Sequence, residues 1–288
     1  MTEDIYYTSP DGLTLFARRY GPENAPLTAL CMHGLTRNHK DFEPLIEALD
    51  GRYQFIAVDQ RGRGQSDRDP VAERYTPQTY VGDMKALLDR LGLQKVVLIG
   101  TSMGGLMSMI MMRTMPARIR GVVLNDVGPV FEQEGLNRIA SYVNTVAPIE
   151  NWEKAAESVG KVQSYVFPKY TPEQWMAFAR RTYRELEDGR VVLDYDPAIT
   201  QTVGQVRPSL LTRFAMWRLY GGMKKAPLLI VRGETSDILS DKTAQKMLKR
   251  HPDAQLVTVP EVGHAPILDE PEAVSAISDF LQRLEASA

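Results

Sequence analysis

Val96-Val97-Leu98-Ile99-Gly100-Thr101-Ser102-Met103-Gly104-Gly105 joins four consecutive apolar residues to a Gly-x-Ser-x-Gly turn, and a helix-patterned run to Met115 follows. An unbroken apolar run predicts a strand covered on both faces. In a strand–turn–helix setting, Gly-x-Ser-x-Gly forces a sharp, strained turn that leaves the serine hydroxyl standing free. Gly100 and Gly104 remove side chains that would collide across such a turn. The helix N-terminus behind Ser102 points unsatisfied N–H groups toward any negative charge that develops there. The stretch therefore predicts a nucleophilic serine at the C-terminal end of a buried strand.

Outward from this stretch the same pattern repeats. Ile5-Tyr6-Tyr7 and Leu13 to Phe16 flank Ser9-Pro10-Asp11-Gly12, a hairpin signal. Short apolar runs follow at Leu27 to Met32, Phe55 to Val58 and Val122 to Leu124, with amphipathic stretches between them. Thr76-Pro77 opens one helix and Gly92 closes it. The alternation predicts an α/β fold, a mostly parallel sheet with helices on both faces. It breaks between Val130 and Gly222, where the spacing predicts helices over 132–146, 151–165, 172–187 and 209–220 and one short strand at Val191-Val192-Leu193. It resumes with strands at Leu228 to Val231 and Gln255 to Val259 and helices at Asp241 to Arg250 and Glu272 to Leu284. Residues 1–129 and 223–288 thus form the expected core, and 130–222 a helical cap. That insertion holds 13 of the 23 aromatic residues. Most are expected to build its own small core, and a few, such as Trp152 or Trp217, to roof a pocket.

A serine nucleophile needs a base, and four histidines are available. His264 follows the last strand, at the sheet edge that carries Ser102. His251 closes a helix and is expected to be a solvated cation; His39 is given no role. The base in turn needs a carboxylate to fix its tautomer. Asp126 and Asp237 both follow strands, and both lie between Ser102 and His264 in the chain. Asp126 leads into Val127-Gly128-Pro129, where capping a turn would also account for it. Asp237, in Glu234-Thr235-Ser236-Asp237, has no such second use, so it is the preferred acid and Asp126 the alternative. The N–H groups of Met103 and of Leu35, after His33-Gly34, are the expected oxyanion-hole donors.

With these residues in place, the chain resembles the α/β-hydrolase superfamily nearly end to end. The resemblance rests on His33-Gly34, Asp59-Gln60-Arg61-Gly62-Arg63-Gly64-Gln65-Ser66, Gly100 to Gly105, Gly233 to Asp237, Gly263-His264 and the closing Leu268-Asp269-Glu270-Pro271-Glu272. It implies an eight-stranded, mostly parallel sheet with its first strands antiparallel, and a helical cap inserted after strand six. It places the acid after the seventh strand in most relatives, which is where Asp237 stands, and after the sixth in some. It also implies that Asp59 to Ser66 is a structural element. Relatives with an aspartate nucleophile cleave epoxides or haloalkanes; serine at 102 points instead to acyl transfer. The expected activity is that of a serine hydrolase cleaving a small to medium carboxylic ester or lactone through an acyl-enzyme. Two alternatives are hydrolysis of a carbon–carbon bond in a ring-cleavage diketone and a slow-turnover ligand sensor on the same fold. The stretch Gly34-Leu35-Thr36-Arg37 lacks the longer glycine run usual in the diketone hydrolases.

Composition bounds the rest. The 288 residues are 43% hydrophobic and 24% charged, ordinary for a globular chain. The net charge of -2 offers no field for nucleic acid or an anionic membrane, so neither is an expected partner; a small-molecule acyl substrate is. One cysteine excludes a disulfide framework and a cysteine-rich zinc site. No metal-binding pair of the His-Glu-x-x-His type and no phosphate loop occurs, and no metal or cofactor is implied. MTEDIYYTSP contains no apolar run of signal-peptide type, and a cytoplasmic location is expected.

Overall fold

The computed structural model describes residues 2–143, 147–200 and 209–287. In chain order it contains β1 (Thr2–Thr8), β2 (Thr14–Tyr20), β3 (Thr28–Met32), α1 (Glu43–Ala48), β4 (Gln54–Asp59), α2 (Pro77–Arg90), β5 (Val96–Thr101), α3 (Met103–Thr114) and β6 (Ile119–Asn125). Then come α4 (Gln133–Tyr142), α5 (Trp152–Gln163), α6 (Pro172–Thr182), β7 (Tyr183–Glu185), β8 (Val191–Leu193) and α7 (Leu210–Gly221). The chain closes with β9 (Leu228–Gly233), α8 (Asp241–Arg250), β10 (Ala254–Val259) and α9 (Pro271–Ala286).

Eight strands form one sheet in the order β1-β2-β4-β3-β5-β6-β9-β10. β2 runs antiparallel to both of its neighbours, and the pairings from β4 to β10 are parallel. Alternate residues of the central strands face opposite layers, as a period of two requires. Leu30, Ile56, Leu98 and Leu124 join Met84, Leu87 and Met107 of α2 and α3 on one side. Ala29, Phe55, Val97 and Val123 join Leu45 of α1 and Ile277, Phe280 and Leu281 of α9 on the other. Both faces are dry, which is why β5 reads as an unbroken apolar run.

The insertion after β6 packs Ala155, Val159, Phe167, Phe178, Tyr183 and Val191 into a further cluster, which Ile267 of the loop after β10 joins. One predicted helix stops early. The run expected over 172–187 ends at Thr182, and Tyr183–Glu185 pairs antiparallel with Val191–Leu193 instead. The turn between them is closed by the Leu186 N–H on the Arg190 carbonyl at 2.7 Å, with Gly189 at φ 83°. Cross-strand pairing here overrides the helix preference of Arg184-Glu185-Leu186-Glu187. The helix predicted over 132–146 is seen to Tyr142, and residues 144–146 lie outside the described ones. No helix among the described residues is long and apolar enough to cross a membrane.

Candidate active site

Ser102 is the first residue after β5 and caps α3, with φ 51° and ψ -110°. That is a strained conformation for a residue with a Cβ. Neighbouring glycines make it feasible: a Cβ on Gly104 would lie 1.9 Å from the Met32 carbonyl oxygen, and one on Gly100 2.4 Å from that of Gly104. The Ser102 N–H donates to the Asn125 carbonyl at 3.0 Å, which ties the turn to the end of β6.

His264 lies in the loop after β10, with Nε2 3.0 Å from the Ser102 hydroxyl and Nδ1 2.8 Å from Oδ2 of Asp126. Asn125 steadies this loop by donating to the Pro266 carbonyl at 2.8 Å, and the Gly263 N–H donates to the Val166 carbonyl of the insertion at 2.9 Å. Asp126 is fully buried with φ 54°, and its N–H donates to the Val231 carbonyl. Its Oδ1 accepts the Gly233 N–H at 3.0 Å, and its Oδ2 accepts the Ser236 hydroxyl at 2.5 Å as well as facing the imidazole.

The carboxylate that meets His264 is thus Asp126, and the preference for Asp237 is corrected. Asp237 forms a two-pronged ion pair with Arg138 of α4, Nε at 2.6 Å and Nη2 at 2.9 Å. Burial would raise its carboxyl, but the Arg138 hydrogen bonds and charge outweigh that and hold it below the usual carboxylate range. This is the second use of Asp237 that the sequence did not reveal: its partner comes from the insertion. The signal pointing to Asp126 was its place one residue past β6, as Ser102 stands one residue past β5.

The other histidines have structural surroundings. His251 is buried rather than solvated, with Nε2 3.0 Å from the Met223 carbonyl and Nδ1 accepting the Asp253 N–H at 3.1 Å. His39 sits with Nδ1 2.8 Å from Asp59. His33 is fully buried; its Nδ1 lies 2.6 Å from the Gly34 carbonyl, and its Nε2 accepts the Gln60 N–H at 3.1 Å. Burial, helped by the charge of Arg63, pushes its pKa down to about 4, so the ring is neutral.

Ser102 and His264 open onto a cavity of about 540 Å³. The core contributes Gly34 and Leu35 to its wall, and the insertion contributes rings including Phe167, Phe178, Tyr183 and Tyr195. Trp152 and Trp217, expected as roof candidates, are not among the lining residues. Trp152 donates to Glu185 and stacks under Arg180, while Trp217 is flanked by Lys246 and Arg250. The N–H groups of Leu35 and Met103 have no protein acceptor among the described residues. Those residues also place no group of three or more His, Cys, Asp or Glu where it could hold a metal ion.

Comparison with known proteins bears on the fold and the family. Residues 29–277 match the family model of the alpha/beta hydrolase family. The chain is 33% identical over 278 residues to a 3-hydroxybutyrate-oligomer hydrolase of Cupriavidus necator, covering 94% of each chain. It is 31% identical over 273 residues to a 2-(acetamidomethylene)succinate hydrolase of Mesorhizobium japonicum, covering 93% of this chain and 92% of that one. The crystal structure of an alpha/beta hydrolase from Novosphingobium aromaticivorans superposes with a TM-score of 0.90 at 42% identity, covering 98% of both chains. A family model matched over most of the chain, together with relatives at 33% and 31% identity covered nearly end to end, settles the family: the chain belongs to the α/β-hydrolase family.

Proposed function

We propose that the protein is a serine hydrolase that cleaves a small to medium carboxylic ester through an acyl-enzyme. The carrying observation is the relay from Asp126 through His264 to Ser102, at 2.8 and 3.0 Å, opening on the cavity. In this reading His264 takes the Ser102 proton as the hydroxyl attacks the ester carbonyl, and Asp126 holds Nδ1–H and stabilises the imidazolium. The Leu35 and Met103 N–H groups receive the oxyanion. His264 then protonates the leaving alcohol, activates water, and the acyl group is released. The relative named as a 3-hydroxybutyrate-oligomer hydrolase supports an ester as the scissile bond, and short hydroxy-acid esters are the first substrates to try. The single cysteine, Cys31, is buried and suits a reducing, cytoplasmic setting for this activity.

The test is turnover of p-nitrophenyl butyrate and of a 3-hydroxybutyrate dimer by wild type and Ser102→Ala. Wild type should complete many cycles and be labelled by a fluorophosphonate probe. The variant should escape labelling and lose on the order of a million-fold in kcat. A Ser102→Ala enzyme within tenfold of wild type would remove the serine from the chemistry. A single acylation burst without further cycles would favour a slow-turnover sensor.

A further inference from the structure

The loop Asp59 to Ser66 carries two buried arginines in opposite surroundings. Arg61 is enclosed by carboxylates: Asp83 at 2.6 and 2.8 Å, Asp69 at 2.5 Å and Asp11 at 2.8 and 3.0 Å. Arg63 is equally buried, yet among the described residues it forms no ion pair within 4.0 Å. Its donors go to neutral acceptors. Nε donates to the Leu35 carbonyl at 2.9 Å, and Nη1 to the Arg61 carbonyl at 2.8 Å and the Tyr80 hydroxyl at 3.0 Å. Nη2 lies 3.8 Å from the Met103 sulfur, and the Tyr80 and Tyr75 rings stand 4.9 and 5.8 Å from the guanidinium carbon.

Leu35 and Met103 are the two residues whose N–H groups form the oxyanion hole in the reading above, and one guanidinium touches both. We propose that Arg63 is a positioning residue for the oxyanion hole: by holding the Leu35 carbonyl and the Met103 sulfur at once, its fork fixes these two residues relative to each other. The inference rests on the proposed serine mechanism.

Burying a guanidinium without a carboxylate is costly, and the tyrosine faces offset only part of that cost. A fork held by four buried partners has little freedom to shift, so the two residues it touches are preorganised before the oxyanion forms. The backbone that carries this fork is itself pinned, since Arg63 bridges to Tyr195 of the insertion. On either side the Gly64 N–H donates to the Asp194 carbonyl at 3.1 Å, and the Asp196 N–H to the Gly62 carbonyl at 2.7 Å.

Arg63→Lys tests this, since lysine keeps the charge but not the planar fork. The readouts are kcat and KM for p-nitrophenyl butyrate, the inhibition constant of a trifluoromethyl ketone that forms a hemiketal oxyanion on Ser102, and melting. Folded Arg63→Lys should lose about a hundredfold in kcat with KM within about threefold, and should weaken the ketone in proportion to kcat/KM. A structural role alone would lower melting without that proportionality. Folded Arg63→Lys with wild-type kcat and ketone affinity overturns the assignment, and so does a kcat loss with no change for the ketone. Should Arg63→Lys not fold, Tyr80→Phe removes one anchor of the fork. It should shift kcat and the ketone together by roughly fivefold, and no shift overturns the proposal. Ser102→Ala separates the two readings: turnover without Ser102 sinks both, whereas an inactive Ser102→Ala beside an unaffected Arg63→Lys sinks only the role of Arg63.

Discussion

A carboxylate orients an imidazole only if it reaches Nδ1, and at Asp126 the backbone does the aiming. Its φ of 54°, directly after β6, lets the carboxylate accept from Gly233, Ser236 and His264 together. Asp126→Asn should therefore keep the shape, mis-set the tautomer and lose on the order of ten-thousand-fold in kcat. Asp237→Asn should keep kcat within about tenfold and instead lose roughly 1–3 kcal/mol of stability as Arg138 loses its partner. Assay and melting of the two variants side by side check this, and a crippled but stable Asp237→Asn would reverse it. His33 gives a pH-dependent stability. Its pKa falls from 6.5 to about 4 on folding, so the unfolded chain binds the extra proton. Its contribution is fully present above pH 6.5 and is lost as pH falls toward 4. Chemical denaturation of wild type and His33→Gln across this window should show the wild type losing stability more steeply, by about one proton's worth of slope. Equal slopes would mean that the ring is not held neutral.

At the scale of elements, what could be read in the chain was what local chemistry dictates. Val96 to Thr101 runs into a glycine-bounded serine, and β5, the turn and α3 follow from that stretch alone. β8 was legible at Val191 to Leu193, but its partner β7 reads as helix because Arg184-Glu185 and the Leu186-Glu187 that follow favour helices and the strand is fixed only by pairing with residues some eight positions on. The acid was misjudged for a related reason. Both aspartates sit past strand ends, and what separates them is Arg138, 99 residues before Asp237, together with a backbone angle that no spacing encodes. Close packing at Gly104 makes an element-scale prediction. Gly104→Ala would drive a Cβ to 1.9 Å from the Met32 carbonyl, so α3 must leave β3 and several kcal/mol of stability should go. Gly82→Ala, inside α2 with nothing within 4 Å of the added carbon, should instead gain about 0.5–1 kcal/mol. Melting of both variants checks the pair, and a Gly104→Ala that melts like wild type would contradict the close approach.

Across the whole molecule the insertion and the core meet at fixed points. Besides the bonds of Asp194 and Asp196 to the Gly62–Gly64 turn, the Glu132 N–H donates to the Ile238 carbonyl at 3.1 Å, and Gly263 to Val166 at 2.9 Å. Walls carried by the insertion therefore stand at set positions over Ser102, and a wall residue should govern which acyl chain fits rather than whether the ester is cleaved. Phe178 is such a residue: it is buried, lines the cavity, and packs under the Arg37 guanidinium, whose carbon lies 4.1 Å from its ring centre. Phe178→Leu keeps an apolar wall but shortens it. The space released should accept more methylenes, each worth roughly 0.8 kcal/mol when buried. The ratio of kcat/KM for p-nitrophenyl octanoate to that for the butyrate should rise about tenfold. Trp217→Leu is the comparison, since Trp217 lies off the cavity among Lys246, Arg250 and Tyr220 and should leave the ratio unchanged. A Phe178→Leu ratio within twofold of wild type, or an equal change from Trp217→Leu, would show that selectivity is set elsewhere than at this wall.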